Sequence, residues 1–115
     1  LLIPATPVPL VEAQVEVVGV IGAGDLGSER VVIRQFGEGQ ASLQGWQLQE
    51  NSGATYTFPG LQLAKDGSQV ELFSRAGADS AAALYWNLEQ PIWQPGDTIT
   101  LRDAAGTLRS TYTAP

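Results

Sequence analysis

The chain contains no cysteine, no histidine and no methionine, and Lys65 is its one lysine. Without cysteine and histidine there are no thiol nucleophiles, thiolate zinc sites or imidazole bases, and nearly every transition-metal site is excluded. No cofactor is expected. The missing cysteine leaves the compartment open, because a domain with a large enough core does without disulfides. Positive charge is scarce: 12 acids stand against 6 Lys plus Arg, a net charge of -6. Nucleic-acid binding draws most of its affinity from phosphate neutralisation by Lys and Arg, so this chain is poorly equipped for it. No apolar run approaches the ~18 residues that span a bilayer. No window carries a sustained helical period bounded by caps.

What is present suits one domain. The 115 residues leave little room for a second, and an apolar fraction of 43% is enough for a real core. A chain that starts at Leu1 and lacks methionine reads as a piece of a longer protein, with any signal peptide or anchor outside it. Residues 1–13 carry Pro4, Pro7 and Pro9 and read as an extended linker or edge segment. The folded domain is expected over 14–115.

From Gln14 onward, short β-rich runs alternate with Gly, Asn, Asp and Pro punctuation. Val15 to Ile21 is rich in β-branched residues. Arg30 to Phe36 places Val31 and Ile33 on one face, and Arg30 and Arg34 on the other. Leu43 to Gln49 puts Trp46 in phase with Leu48, which assigns Trp46 to the core. Asn51-Ser52-Gly53 turns the chain into Ala54 to Phe58, so 43–58 reads as a β-hairpin. Gln69 to Phe73 follows. Pro95-Gly96-Asp97 turns into Thr98 to Leu101, and Asp103 to Gly106 turns into Leu108 to Thr113. The stretch 76–88 reads either as a single helical turn or as a long ordered loop carrying Leu84, Tyr85 and Trp86. The fold class is therefore all-β, a sandwich of about seven to nine short, mostly antiparallel strands.

Three patterns resemble chemistry. Gly22-Ala23-Gly24-Asp25-Leu26-Gly27 matches G-x-G-x-x-G after a strand. A dinucleotide site needs a helix to open there, and Ser28-Glu29-Arg30-Val31-Val32-Ile33 is a strand pattern instead. The segment reads as a glycine-rich connection. Most of the twelve acids, a set that includes Glu29 and Glu50, fall in turns or on outward strand positions, and no feature brings two together, so they read as solvated carboxylates and turn formers and not as a glycosidase pair. Asp25 lacks the D-x-D-x-D loop of a calcium site. Trp86 and Trp93 lie in less regular segments and are candidates for an exposed sugar-stacking patch.

Taken in order, the motifs resemble the lamin-tail domain, an immunoglobulin-like module of nuclear lamins that also occurs in bacterial proteins. Glu29 to Gln35 is similar to a family strand that opens with Glu. Leu43-Gln44-Gly45-Trp46-Gln47-Leu48 resembles L-x-G-W-x-L. Tyr56-Thr57-Phe58-Pro59 followed by Leu63 to Gly67 resembles F-P…L-x-P-G-x. Trp93 to Leu101 resembles W-x-x-x-G-D-x-V-x-L, and Asp103 to Tyr112 resembles the closing D-x-x-G…Y segment. The match runs over about 14–113. Gln35 stands where the family commonly has Asn, Lys65-Asp66 replaces Pro-Gly, Arg109 replaces an acid, and Tyr112 comes one position early. The resemblance implies an immunoglobulin-like sandwich and a non-enzymatic module of a larger protein, binding protein or a cell-envelope component. It also implies a bacterial protein placed extracellularly or on the cell surface. The alternative is a carbohydrate-binding module built on Trp86 and Trp93; nucleic-acid binding by analogy with lamins is disfavoured by the charge. The candidate binding surface comprises Trp86, Trp93, Arg30 and Arg34.

Overall fold

The computed structural model describes residues 13–115, so the proline-rich segment assigned to a linker lies outside the described residues. Ten strands follow in order: β1 (Gln14–Ile21), β2 (Arg30–Phe36), β3 (Ala41–Ser42), β4 (Gln47–Glu50), β5 (Thr55–Thr57), β6 (Gln62–Leu63), β7 (Gln69–Phe73), β8 (Ala83–Tyr85), β9 (Thr98–Arg102) and β10 (Leu108–Thr113). None of the described residues is helical. One sheet runs β1-β2-β7-β8 and the other β10-β9-β4-β5, with β3 and β6 as a short ribbon.

Period-two alternation builds the sandwich. Val15 and Val17 of β1, Val31 and Ile33 of β2, Val70 and Leu72 of β7 and Leu84 of β8 point inward from the first sheet. Leu48, Ile99 and Leu101 meet them from the second. Trp46, Phe58 and Leu63 close the same core. Fully burying side chains of this size stabilises by roughly 1.5–3 kcal/mol each.

The two hairpins read from the sequence are present: β4–β5 and β9–β10 are both antiparallel. The strand expected from Leu43 begins later, at Gln47. Leu43 to Trp46 forms a turn closed by Trp46 N–H on Leu43 O, with Gly45 at φ 78° and Ala104 Cβ 3.3 Å from where a side chain there would start. A glycine is needed at that position for both reasons. The stretch 76–88 holds neither a helical turn nor only loop, since Ala83–Tyr85 pairs with β7 in parallel.

The free side of β8 is occupied by its own preceding loop. Ala83 N–H donates to Ser80 Oγ (3.2 Å), Tyr85 N–H to Asp79 Oδ1 (3.0 Å), and Ser80 N–H to Ala83 O (2.8 Å). In β1 the register slips at Val18, a bulge that leaves Val17 N–H donating to Ser110 Oγ on β10 (3.1 Å) and joins the sheets on that side.

Two acids read as solvated are buried. Glu50 is 5% exposed and caps the Asn51–Gly53 turn through Ser52. Glu29 is fully buried. Its Oε1 accepts from Gly24 N–H (3.0 Å) and Trp93 N–H (3.4 Å). Its Oε2 accepts from Ser74 Oγ (2.5 Å) and Ile92 N–H (2.9 Å). One carboxylate thus ties together the loop after β1, the end of β7 and the segment before β9. Four donors stand in for the hydration that a carboxyl group loses on burial.

Candidate functional site

The glycine-rich connection between β1 and β2 folds as turns, with Asp25 N–H on Gly22 O and Glu29 N–H on Asp25 O. Its Gly24 N–H, which a phosphate would need, is spent on Glu29. Asp97 accepts from Gln94 N–H (2.9 Å) and Asp103 from the N–H groups of Ala105 and Thr107, so both act as turn formers.

The four candidate surface residues separate. Trp93 is 1% exposed, because its N–H is drawn inward to Glu29 and its ring packs in the core. Trp86 is half-buried, with its ring centroid 6.3 Å from that of Trp93 and 5.6 Å from that of Tyr56. The two indoles therefore do not make an exposed stacking platform, and Trp93 leaves the candidate surface. Arg30 and Arg34 do share the outer face of β2, where Arg34 donates to Gln69 Oε1 (2.7 Å).

Arg30 belongs to a larger constellation. The registers place Ile21, Arg30, Phe73 and Tyr85 side by side across all four strands of the first sheet. Residues directly opposite in a sheet share a face. Phe73 and Tyr85 stack with centroids 5.3 Å apart and planes 16° from parallel. The Arg75 guanidinium sits 5.0 Å from the Phe73 centroid and 5.1 Å from that of Tyr85, and Arg30 lies 5.5 Å from Phe73. Arg30 Nε is also 3.3 Å from Glu71 Oε2. Gly77 is what admits the Tyr85 ring, since a Cβ there would overlap it. Ile21 is 44% exposed. The row is thus an amphipathic patch of one aliphatic, two aromatic and two cationic side chains. Sequence reading found Arg30 but missed Phe73, Tyr85 and Arg75. Phe73 carried a signal, since it stands two places after Glu71 on the outward phase of β7.

Beside the patch, a cleft of about 380 Å³ opens between the loop before β8 and the connection after β5, lined by Pro59, Gly60, Leu61, Asp79, Ser80 and Leu84. Tyr56 is nearby in charge terms: burial pushes its hydroxyl up to about 12, and the negative charge of Asp79 adds to the rise. No nucleophile–base pair stands among the residues that line this cleft.

Comparison with known families gives one match: the profile described as the Lamin Tail Domain covers residues 11–115. Among curated proteins, no match was found.

Proposed function

The chain belongs to the lamin tail domain family, and from that membership we propose that it is a non-enzymatic interaction module of a larger bacterial protein, displayed outside the membrane. Its partner in this reading is a protein or another envelope component. The observation that carries the reading is the Ile21–Arg30–Phe73–Tyr85 row with Arg75 across it. Interface cores are enriched in aromatic residues and Arg, and a few such anchors carry most of the binding energy. Stacking fixes the rings before a partner arrives, which lowers the entropy lost on docking. Arg30 is already paired with Glu71, which favours a mixed apolar and polar partner over a nucleic-acid backbone.

The test compares the wild-type chain with Arg75→Ala and Tyr85→Ala as baits in surface extracts of the source organism. A partner retained by the wild type and weakened at least about tenfold by each variant supports the reading, since hot-spot truncations cost ~2 kcal/mol or more. A partner held equally by all three places the interface elsewhere.

A further inference from the structure

The opposite outer surface has a different chemistry. On the second sheet, Thr-x-Thr occurs on three of the four strands (Thr55/Thr57, Thr98/Thr100, Thr111/Thr113), and Gln47/Gln49 fills the same places on the fourth. The registers align them. Thr111, Thr100, Gln49 and Thr55 form one row across the sheet. Thr57, Gln47, Arg102 and the exposed Leu108 form the next, and Thr98 lies opposite Thr113. Both glutamines, and the threonines of β5 and β10, are exposed. Strand spacing puts neighbours in a row about 4.8 Å apart and successive rows about 6.7 Å apart. The four-strand row is therefore about 14 Å long.

We infer that this face binds a neutral polysaccharide, laid across the strands along the Thr111–Thr100–Gln49–Thr55 row. Three observations select that occupant. First, the chain carries a net charge of -6, yet no acid stands in these rows and Arg102 is their one charge. A surface so neutral on an acidic domain suits an uncharged ligand. Second, apart from Arg102 and Leu108 at one end of the second row, the groups offered are hydroxyls and primary amides, donor and acceptor at once, which matches a polymer of hydroxyls. Thr55 Oγ1 donates to Gly53 O and Arg102 Nη1 to Gly106 O, while among the described residues both Gln amides keep their capacity for a ligand. Third, the rows hold no aromatic ring, and threonine is under-represented among protein–protein hot spots. Adjacent strands turn by roughly 20–25°, so the rows are not coplanar. A flexible chain follows that twist and a rigid crystalline surface does not. The site is separate from the aromatic platform expected of Trp86 and Trp93, and does not depend on the Arg75 patch.

The test is affinity electrophoresis of the full chain in gels containing soluble neutral glucan, mannan or xylan, with alginate as the anionic control. The expected result is retardation by at least one neutral polymer that added salt leaves unchanged. Gln47→Ala/Gln49→Ala weakens it by about tenfold or more, at about 1 kcal/mol per lost hydrogen bond. Thr57→Val and Thr111→Val probe the two ends of the face by a second route, and an unchanged urea midpoint certifies each fold. Retardation by none of the neutral polymers overturns the proposal. So does retardation that survives all of these substitutions, or that appears with alginate alone. A sedimentation dimer that Gln47→Arg/Gln49→Arg splits would assign the face to a second copy and equally overturn it.

Discussion

Replacing the buried carboxylate of Glu29 tests the central tie of the fold. Its four donors are three backbone N–H groups and one hydroxyl, from segments up to 64 positions away in sequence. Glu29→Gln keeps the volume and exchanges one acceptor oxygen for an NH2 group. The least costly orientation turns that NH2 toward Ser74, whose hydroxyl can rotate and accept. Ile92 N–H is then left without an acceptor, and the remaining bonds lose their charge assistance. One orphaned buried donor costs about 1–3 kcal/mol, and the weakened bonds add to it, so a total of about 2–4 kcal/mol is expected. Glu29→Ala orphans three backbone donors and leaves a cavity, for about 4 kcal/mol or more. Ser74→Ala removes one bond and costs about 1 kcal/mol. Urea unfolding followed by tryptophan fluorescence reads all three, and hydrogen exchange should quicken at Gly24, Ile92 and Trp93. The ordering Ser74→Ala, Glu29→Gln, Glu29→Ala is the signature. A Glu29→Gln cost below about 0.5 kcal/mol, or equal costs for Gln and Ala, would refute the account.

Gly77→Ala should drive the Tyr85 ring off Phe73, seen as lost near-ultraviolet dichroism and a stability loss of about 1–3 kcal/mol from overpacking. Tyr56 predicts an alkaline effect. Its folded-state value is the raised one, so its contribution is whole below its ordinary 10.0 and is lost as the pH climbs through about 12. Urea titrations across that window should show Tyr56→Phe losing less stability than the wild type, and parallel losses would remove Tyr56 as a cause. Gly45→Ala must adopt φ 78° against Ala104, and should lower the unfolding midpoint by about 1 kcal/mol or more.

The parts of the fold that were legible in sequence share one property: their signals are local. Val31 and Ile33 alternate with Arg30 and Arg34, and the Asn51–Gly53 and Asp103–Gly106 turns name their own hairpins. Trp46 was placed correctly because Leu48 shares its phase. Strands β3 and β6 are two residues long and carry no period. The three residues of β8 form a strand only because β7 lies beside them. Trp93 lies two places after Pro91 in an irregular segment, and its ring packs in a core that other strands supply, with its N–H on Glu29, far away in the chain. The same holds for Glu29, which opens a strand pattern after the glycine-rich connection and finds Ser74, Ile92 and Trp93 only in the folded chain. The Arg75 patch was half legible, since Arg30 and Phe73 lie on strands while Arg75 and Gly77 lie in a loop.

The hydrogen bonds from Ala83 and Tyr85 back to Ser80 and Asp79 bear on how many copies of this domain can share a small space. An open sheet margin is a template on which another chain can lay a strand, and crowded copies would cross-link through it into insoluble polymer. Here the margin is filled by the domain's own loop, at no demand on any neighbour. Copies arrayed in tandem, or packed on one surface, would stay separate bodies on this side. Any association there would pass through side chains, which selection can tune, and not through the backbone, which pairs with almost any sequence.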